Sequence, residues 1–293
     1  MALAKYRKTC LKSVALAALV ATAPTALWAK ATASDNAGFT SLFDGKTLNG
    51  WKGDPSVWSV RDGTITASTE QPIKRNTFLV FQKPYGDFEM HFKYRWLSPD
   101  GNSGMQFHSG MVEGNYVMTG YQANVVPISA KPDRYGMLYD ELSDRQEIMM
   151  LGQKGILTRR SSNGAGTGRI VRTVTQMINS REDILATIRP APEWNEVVLI
   201  SHGNHMVEAI NGMLAFDTVD QDPDGHPTGL FGLQAHSGPA MTVQYKDIYV
   251  KTLTAAPKID GRFKSTPSPA PEPTQTYKDS NRAGLPDVAL PTD

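Results

Sequence analysis

From Asp87 to Trp96 the chain alternates without a slip. Phe88, Met90, Phe92, Tyr94 and Trp96 fall on one side, and Asp87, Glu89, His91, Lys93 and Arg95 on the other. Ten residues of period two define a half-buried β-strand, because successive side chains point to opposite faces. Such a strand needs partners, and the chain supplies them in the same form. Runs at 57–60 and 64–67 flank Asp62-Gly63, and runs at 205–210 and 213–219 flank Asn211-Gly212. Both dipeptides suit the left-handed corner of a two-residue hairpin. Further strands are expected at 77–81, 194–201, 231–236 and 241–253. One short helix is expected at 181–188, with Ser180 as its N-cap and Asp183 three residues on. Residues 155–172, rich in Gly, Ser and Arg, read as a long loop. Many short strands between turns, with almost no helix, predict an all-β fold. The expected form is a two-sheet antiparallel β-sandwich or jelly roll with one short helix in a long loop.

The ends differ from this middle. Lys5, Arg7, Lys8 and Lys12 precede an apolar run too short to span a bilayer, and small-residue cleavage options follow at 29–33. Residues 1–33 therefore read as a secretory signal peptide, which implies a periplasmic or secreted protein with no membrane span once processed. Cys10, the one cysteine, lies in that leader, so the exported chain carries no disulfide. Residues 258–293 are Pro-, Ser- and Thr-rich and predict a disordered tail. The remainder, 38–254, is one domain. Its 293-residue parent holds 30 Lys and Arg against 29 Asp and Glu, so no basic surplus points to nucleic acid.

Polar residues recur on the strand faces opposite the core. Gln106 and His108 alternate with Met105 and Phe107 after a Gly101-Asn102-Ser103-Gly104 turn. Gln122 and Asn124 alternate with Tyr121 and Ala123, and Gln234 and His236 with Leu233 and Ala235. If these strands adjoin each other and the 87–96 strand, Glu89, His91, Gln106, His108, Gln122, Asn124, Gln234 and His236 form one floor. Amides, imidazoles and a carboxylate give the directional donors and acceptors that sugar hydroxyls need. The alternative is an ordinary solvated sheet face. A divalent cation held by His108 and His236 with Glu89 or Asp140 is a weaker option, because no closely spaced His pair is present. The glycines at 164–168 lack the Lys of a phosphate loop, and no Gly-x-Ser-x-Gly elbow occurs.

An ordered set of motifs resembles the 3-keto-disaccharide hydrolase domain family. The set runs from Phe39-Thr-Ser-Leu-Phe-Asp-Gly-Lys-Thr-Leu-Asn-Gly-Trp51 through Tyr85-Gly-Asp-Phe-Glu89 and Gly101-Asn-Ser-Gly-Met-Gln106. It continues with Gly120-Tyr-Gln-Ala-Asn124, Glu193-Trp-Asn195, Asn211-Gly212 and Gly232-Leu-Gln-Ala-His236. The resemblance implies a concanavalin-like jelly roll with a sugar site on one concave sheet. It also implies an unusual route. A partner oxidoreductase first makes a 3-ketone, a base then takes the C2 proton, the C1 substituent leaves, and water adds. No cofactor is implied beyond a possible divalent cation.

That chemistry needs a base, donors for an enolate oxygen and an acid for the leaving group. It does not need two facing carboxylates. The residues matched to these roles are His108 or His236 as base, with Glu89 or Glu141 as orienter or alternative base. Gln106, Gln122, Asn124 and Gln234 are matched to hydroxyls, with Tyr121, Tyr139 and Asp140 nearby. Gly136-Met-Leu-Tyr139 resembles a family segment read as a loop over the site. Several relatives carry an acid near position 122 or at 124, where this chain has amides, so a non-catalytic carbohydrate-binding module is the competing reading.

Overall fold

The computed structural model describes residues 38–112, 116–129, 132–160, 168–279 and 288–289. The leader read at 1–33 lies outside them. The first strands are β1 (Thr40–Ser41), β2 (Trp51–Lys52), β3 (Trp58–Arg61), β4 (Thr64–Ser68), β5 (Thr77–Phe81), β6 (Phe88–Trp96), β7 (Ser103–Val112) and β8 (Met118–Val125). Next come β9 (Leu138–Glu141), β10 (Gln146–Met149), β11 (Gln153–Arg160), β12 (Arg169–Met177) and the helix α1 (Arg181–Leu185). The last are β13 (Asn195–His202), β14 (His205–Ile210), β15 (Met213–Asp220), β16 (Leu230–Ala235), β17 (Thr242–Thr252), β18 (Ser268–Pro269), β19 (Gln275–Asp279) and β20 (Val288–Ala289).

They form two sheets. The larger runs β18-β12-β11-β15-β14-β13-β6-β17-β4-β3, with β1 on β17 and β19 on β12. The smaller runs β10-β9-β8-β7-β16-β5-β2, with β20 on β7. Pairing is antiparallel except between β11 and β15. This is a jelly roll, and its core lies between the sheets. Phe88 on β6 meets Phe231 on β16 at 4.8 Å and Phe107 on β7 at 5.9 Å, which locks sheet to sheet by edge-to-face contacts. The expected hairpins are present: Asp62 and Gly63 have φ of 48° and 72°, Asn211 and Gly212 of 49° and 82°. Ser180 caps α1 by accepting from Asp183 N at 3.0 Å.

Three expectations are corrected. Residues 155–172 are not one loop, because β11 and β12 occupy most of them and pair from Gln153↔Met177 to Arg160↔Arg169. The 136–141 segment is not a loop either, since Leu138–Glu141 pairs with β8. The stretch from 258 to 279 is not a disordered tail. Ile259 and Phe263 pack with Leu253 over Ile178, Ile200, Val207 and Leu214 on the outer face of the larger sheet. Asn179 Nδ2 donates to Lys264 O at 3.2 Å, and Thr266 N donates to Asn179 Oδ1 at 2.8 Å. β19 then adds to the edge of β12. A Pro-rich composition that cannot build its own core is ordered here by one already built.

Candidate active site

The polar floor lies on the smaller sheet. Register sets Gln106 opposite Gln122, and Gln122 opposite Tyr139. Asn124 faces Gly104, where a Cβ would sit 2.5 Å from Gln122 Cγ, so glycine leaves the room that the amide occupies. The amides interlock. Gln106 and Gln122 meet at 3.2 Å, and Gln122 Nε2 donates to Asn124 Oδ1 at 2.6 Å. Gln106, Gln122, Asn124 and Gln234 are buried. Gln106, Gln122 and Asn124 hold one another and the backbone, Gln234 Nε2 donates to Glu141, and together they form the base of the site.

His108 leaves this column. It has φ 45°, and the β7–β8 register shifts between Phe107 and Gly110. A bulge of this kind adds one residue and turns the following side chains over. His108 therefore points into the core against Phe88 and Tyr121, and Ser109 takes the place beside Gln106. His108 Nδ1 lies 2.8 Å from His226 O and Nε2 lies 2.9 Å from Gly86 O. Burial lowers its pKa and outweighs the two carbonyls, which favour the cation. Both nitrogens are engaged by main chain, so the expected base at His108 is corrected to a buried brace.

The same bulge bends the sheet. By strand order β7 and β8 separate β9 from β16, about 14 Å at ~4.8 Å per strand. Yet Glu141 of β9 accepts from Gln234 Nε2 of β16 at 3.1 Å. The end of the β7–β8 hairpin folds over as well: Tyr116 O accepts from Phe78 N at 2.8 Å, and Met118 packs with Phe78, Val80 and Leu230. Glu141 thus lies in a crease. Its other oxygen accepts from Asn76 Nδ2 at 2.8 Å, and Asn76 Oδ1 accepts from Ser237 N at 2.8 Å. Burial pushes the Glu141 pKa above its ordinary value and prevails over the two amide donors. Asn76, Tyr139 and His236 are half-buried at the rim. His236 Nδ1 lies 2.5 Å from Ser237 O.

Glu89 is elsewhere. It sits on β6 of the larger sheet, bound to His91 Nε2 at 2.6 Å and paired with Arg262. Burial raises its pKa, but His91 and Arg262 more than reverse this and bring it to about 2. Alternation identified its strand and not its sheet. Tyr121 and Asp140 face the interior, also away from the floor. Arg145 Nε donates to Asp140 Oδ2 and Nη1 to Asp220 Oδ2, each at 2.6 Å. Tyr121 Oη donates to Asp220 Oδ2 at 2.5 Å, and His226 Nε2 lies 3.1 Å from Asp140 Oδ1. Among the described residues no group of three or more His, Cys, Asp or Glu is arranged to hold a metal ion. The floor offers amides and one carboxylate, which is a donor set for hydroxyls. Sequence reasoning missed Asn76 and Ser109. Asn76 carried no local signal, and Ser109 was one residue out of phase.

The profile of the 3-keto-alpha-glucoside-1,2-lyase-like domain family matches residues 38–251. The chain belongs to that family. A curated 3-keto-disaccharide hydrolase of Bacteroides thetaiotaomicron is 34% identical over 80 residues. That match spans 24% of this chain and 27% of the relative. A candidate glycosyl hydrolase of Parabacteroides distasonis has a solved structure that is 21% identical with TM-score 0.50, covering 76% of this chain and 97% of that one. It shares the fold. The carboxylate of Glu141 stands among the amides of Asn76 and Gln234. No helix of the described residues is long and apolar enough to cross a membrane.

Proposed function

We propose that this protein cleaves glycosides whose sugar carries a 3-ketone, with Glu141 as the base. The supporting observation is the crease. A buried carboxylate has each oxygen held by one amide, and its pKa is raised toward the working range of a general base. The ketone acidifies C2–H. Glu141 takes that proton, and the C2–H electrons form the enolate. The enolate re-forms the ketone and expels the C1–O bond to leave an unsaturated keto sugar. Water then adds at C1 and a proton returns to C2, giving the free 3-keto sugar. His236, half-buried at the rim, is the acid for the departing oxygen, and Tyr139 donates toward the enolate oxygen. The 3-ketone implies an oxidoreductase acting upstream. Export to the periplasm or medium rests on the leader sequence alone.

The test is a 3-keto-glucoside with a chromogenic aglycone, labelled with deuterium at C2. Wild type should release the aglycone and exchange the label, and Glu141→Gln should slow both by roughly 10²–10⁴-fold, the usual loss for general-base help. Equal rates in wild type and Glu141→Gln would remove Glu141 from the mechanism. A second reading, a binding module, is favoured by a floor built mainly of amides at Gln106, Gln122, Asn124 and Gln234. Saturable sugar binding with no turnover would select it.

A further inference from the structure

We infer that the chain carries a second site, for a small oxoanion, where β19 closes over the edge of the sandwich. A cavity of about 260 Å³ lies there, bounded by Arg145, Glu147, Arg172, Tyr277 and Lys278 over a base of Leu157 and Ile170. It exists because β19 extends the larger sheet: Arg172 pairs with Thr276, Val171 with Tyr277, and Ile170 with Lys278. Its volume falls below the ~300 Å³ at which pockets accept drug-sized ligands, and suits one charged group or one sugar ring.

The lining is cationic and incompletely matched. Arg145 is buried, with Nε on Asp140 and Nη1 on Asp220, and its Nη2 makes no hydrogen bond. A buried N–H without a partner is costly, and a ligand oxygen would relieve it. Arg172 Nε donates to Thr276 Oγ1 at 3.1 Å and Nη1 reaches Glu147 O at 3.4 Å. Lys278 Nζ donates to Gln146 Oε1 at 2.6 Å. These partners are neutral oxygens. Glu147, the carboxylate among the lining residues, lies 3.2 Å from Arg134, and Asp140 and Asp220 stand behind Arg145. Desolvation pulls down the pKa of both Arg172 and Lys278, outweighing Glu147 at the first and Glu147 with Asp144 at the second. Arg145 Nη2, with the donors that Arg172 and Lys278 do not spend on these neutral oxygens, matches the oxygens of carboxylate, sulfate or phosphate.

The site is separate from the crease. Asp140 and Glu141 are consecutive on β9, so they point to opposite faces, and Arg145 binds on the Asp140 side. Tyr277, 49% exposed, stands at the cavity with Arg160 and Arg169 guanidinium groups 5.5 and 5.9 Å from its ring. An exposed aromatic beside an oxoanion pocket fits an acidic sugar, with its charged group inside and its ring against the tyrosine.

The experiment is calorimetric titration of the full chain at low ionic strength with sodium sulfate, sodium phosphate, glucuronate and, as the neutral control, glucose. At least one oxoanion should bind saturably and glucose should not. The strongest of the three arms distinguishes a free inorganic ion from a sugar carboxylate. Arg172→Gln and Lys278→Gln should each weaken binding about 10- to 100-fold, the value of one charge-assisted hydrogen bond. Both positions lie on strands at the sheet edge, and thermal unfolding of each variant checks that the fold is kept. Lys278→Gln, at an exposed position, is the reference if Arg172→Gln unfolds. Absence of saturable oxoanion binding to wild type, or full retention of it in folded Lys278→Gln, overturns the proposal.

Discussion

Glu141 Oε2 accepts a hydrogen bond from Gln234 Nε2 at 3.1 Å, although two strands lie between their own in the sheet order. The contact requires the bend at the β7 bulge, and it places a raised-pKa carboxylate under a half-buried rim. A base must be ionised to act, so kcat/KM should fall as pH drops through the Glu141 pKa, with the inflection above the ordinary carboxylate value of 4.5. Asn76→Ala removes an N–H that favours the charged form. The inflection should then move to higher pH. A pH–rate profile that is identical in wild type and Asn76→Ala would detach Asn76 from the base.

His108 is the strain point behind that geometry. Its φ of 45° lies in the left-handed region, which Asn tolerates better than Ala and which a β-branched residue resists. Stability should fall in the order His108→Asn, His108→Ala, His108→Val, the last by about 2–4 kcal/mol, combining backbone strain with the hydrogen bond that a neutral imidazole donates to a carbonyl. Urea midpoints measure this. A His108→Asn variant that keeps its fold should keep most activity, since no reacting atom reaches the ring. A hundredfold loss there would restore His108 as a chemical group.

This residue also shows what was legible in the sequence. Alternation read the faces of β6 correctly, because a regular strand has a fixed period. The same rule applied to β7 failed after Phe107, because one left-handed residue reverses the parity of all that follow. No local signal marks His108 as that residue. Glu89 failed for another reason: alternation gives a face and says nothing of which sheet carries it. Gln106, Gln122, Asn124 and Gln234 were read onto one face and are found there, while Asn76 reaches Glu141 only through tertiary folding.

Glu208 gives a prediction independent of the site. It is buried on β14, neither carboxylate oxygen makes a hydrogen bond, and burial pushes its pKa up to about 8. The folded state therefore binds more protons than the unfolded state between the ordinary value of 4.5 and about 8. Its contribution is most favourable below 4.5, and stability declines as pH rises through about 8. Glu208→Met should remove that decline and stabilise the protein at pH 9 by a few kcal/mol, on the order set by the shift. Denaturant midpoints across the pH range would show it. An unchanged slope would mean that water enters and hydrates the carboxylate.

The C-terminal segment should behave as part of the domain. Deleting residues 255–293 uncovers Ile200, Val207 and Leu214, which Ile259 and Phe263 now cover, and it strips β19 from β12. At ~1.5–3 kcal/mol for each large apolar side chain returned to water, the loss is a sizeable part of a domain's stability. The truncated chain should melt lower and bind a hydrophobic dye. Its stability should also fall less steeply with acid between 4.5 and about 2. Glu89, held at about 2 by burial set against His91 and Arg262, stabilises the fold above its ordinary 4.5 and loses that contribution as pH falls toward 2. Without Arg262 its folded pKa rises, so Glu89 takes up its proton at a higher pH and contributes less stability above it. Arg262→Ala in the full chain isolates this second effect, because the apolar cover remains. Equal melting temperatures for full and truncated chains at neutral pH, with no dye binding, would show that the segment adds nothing to the sandwich.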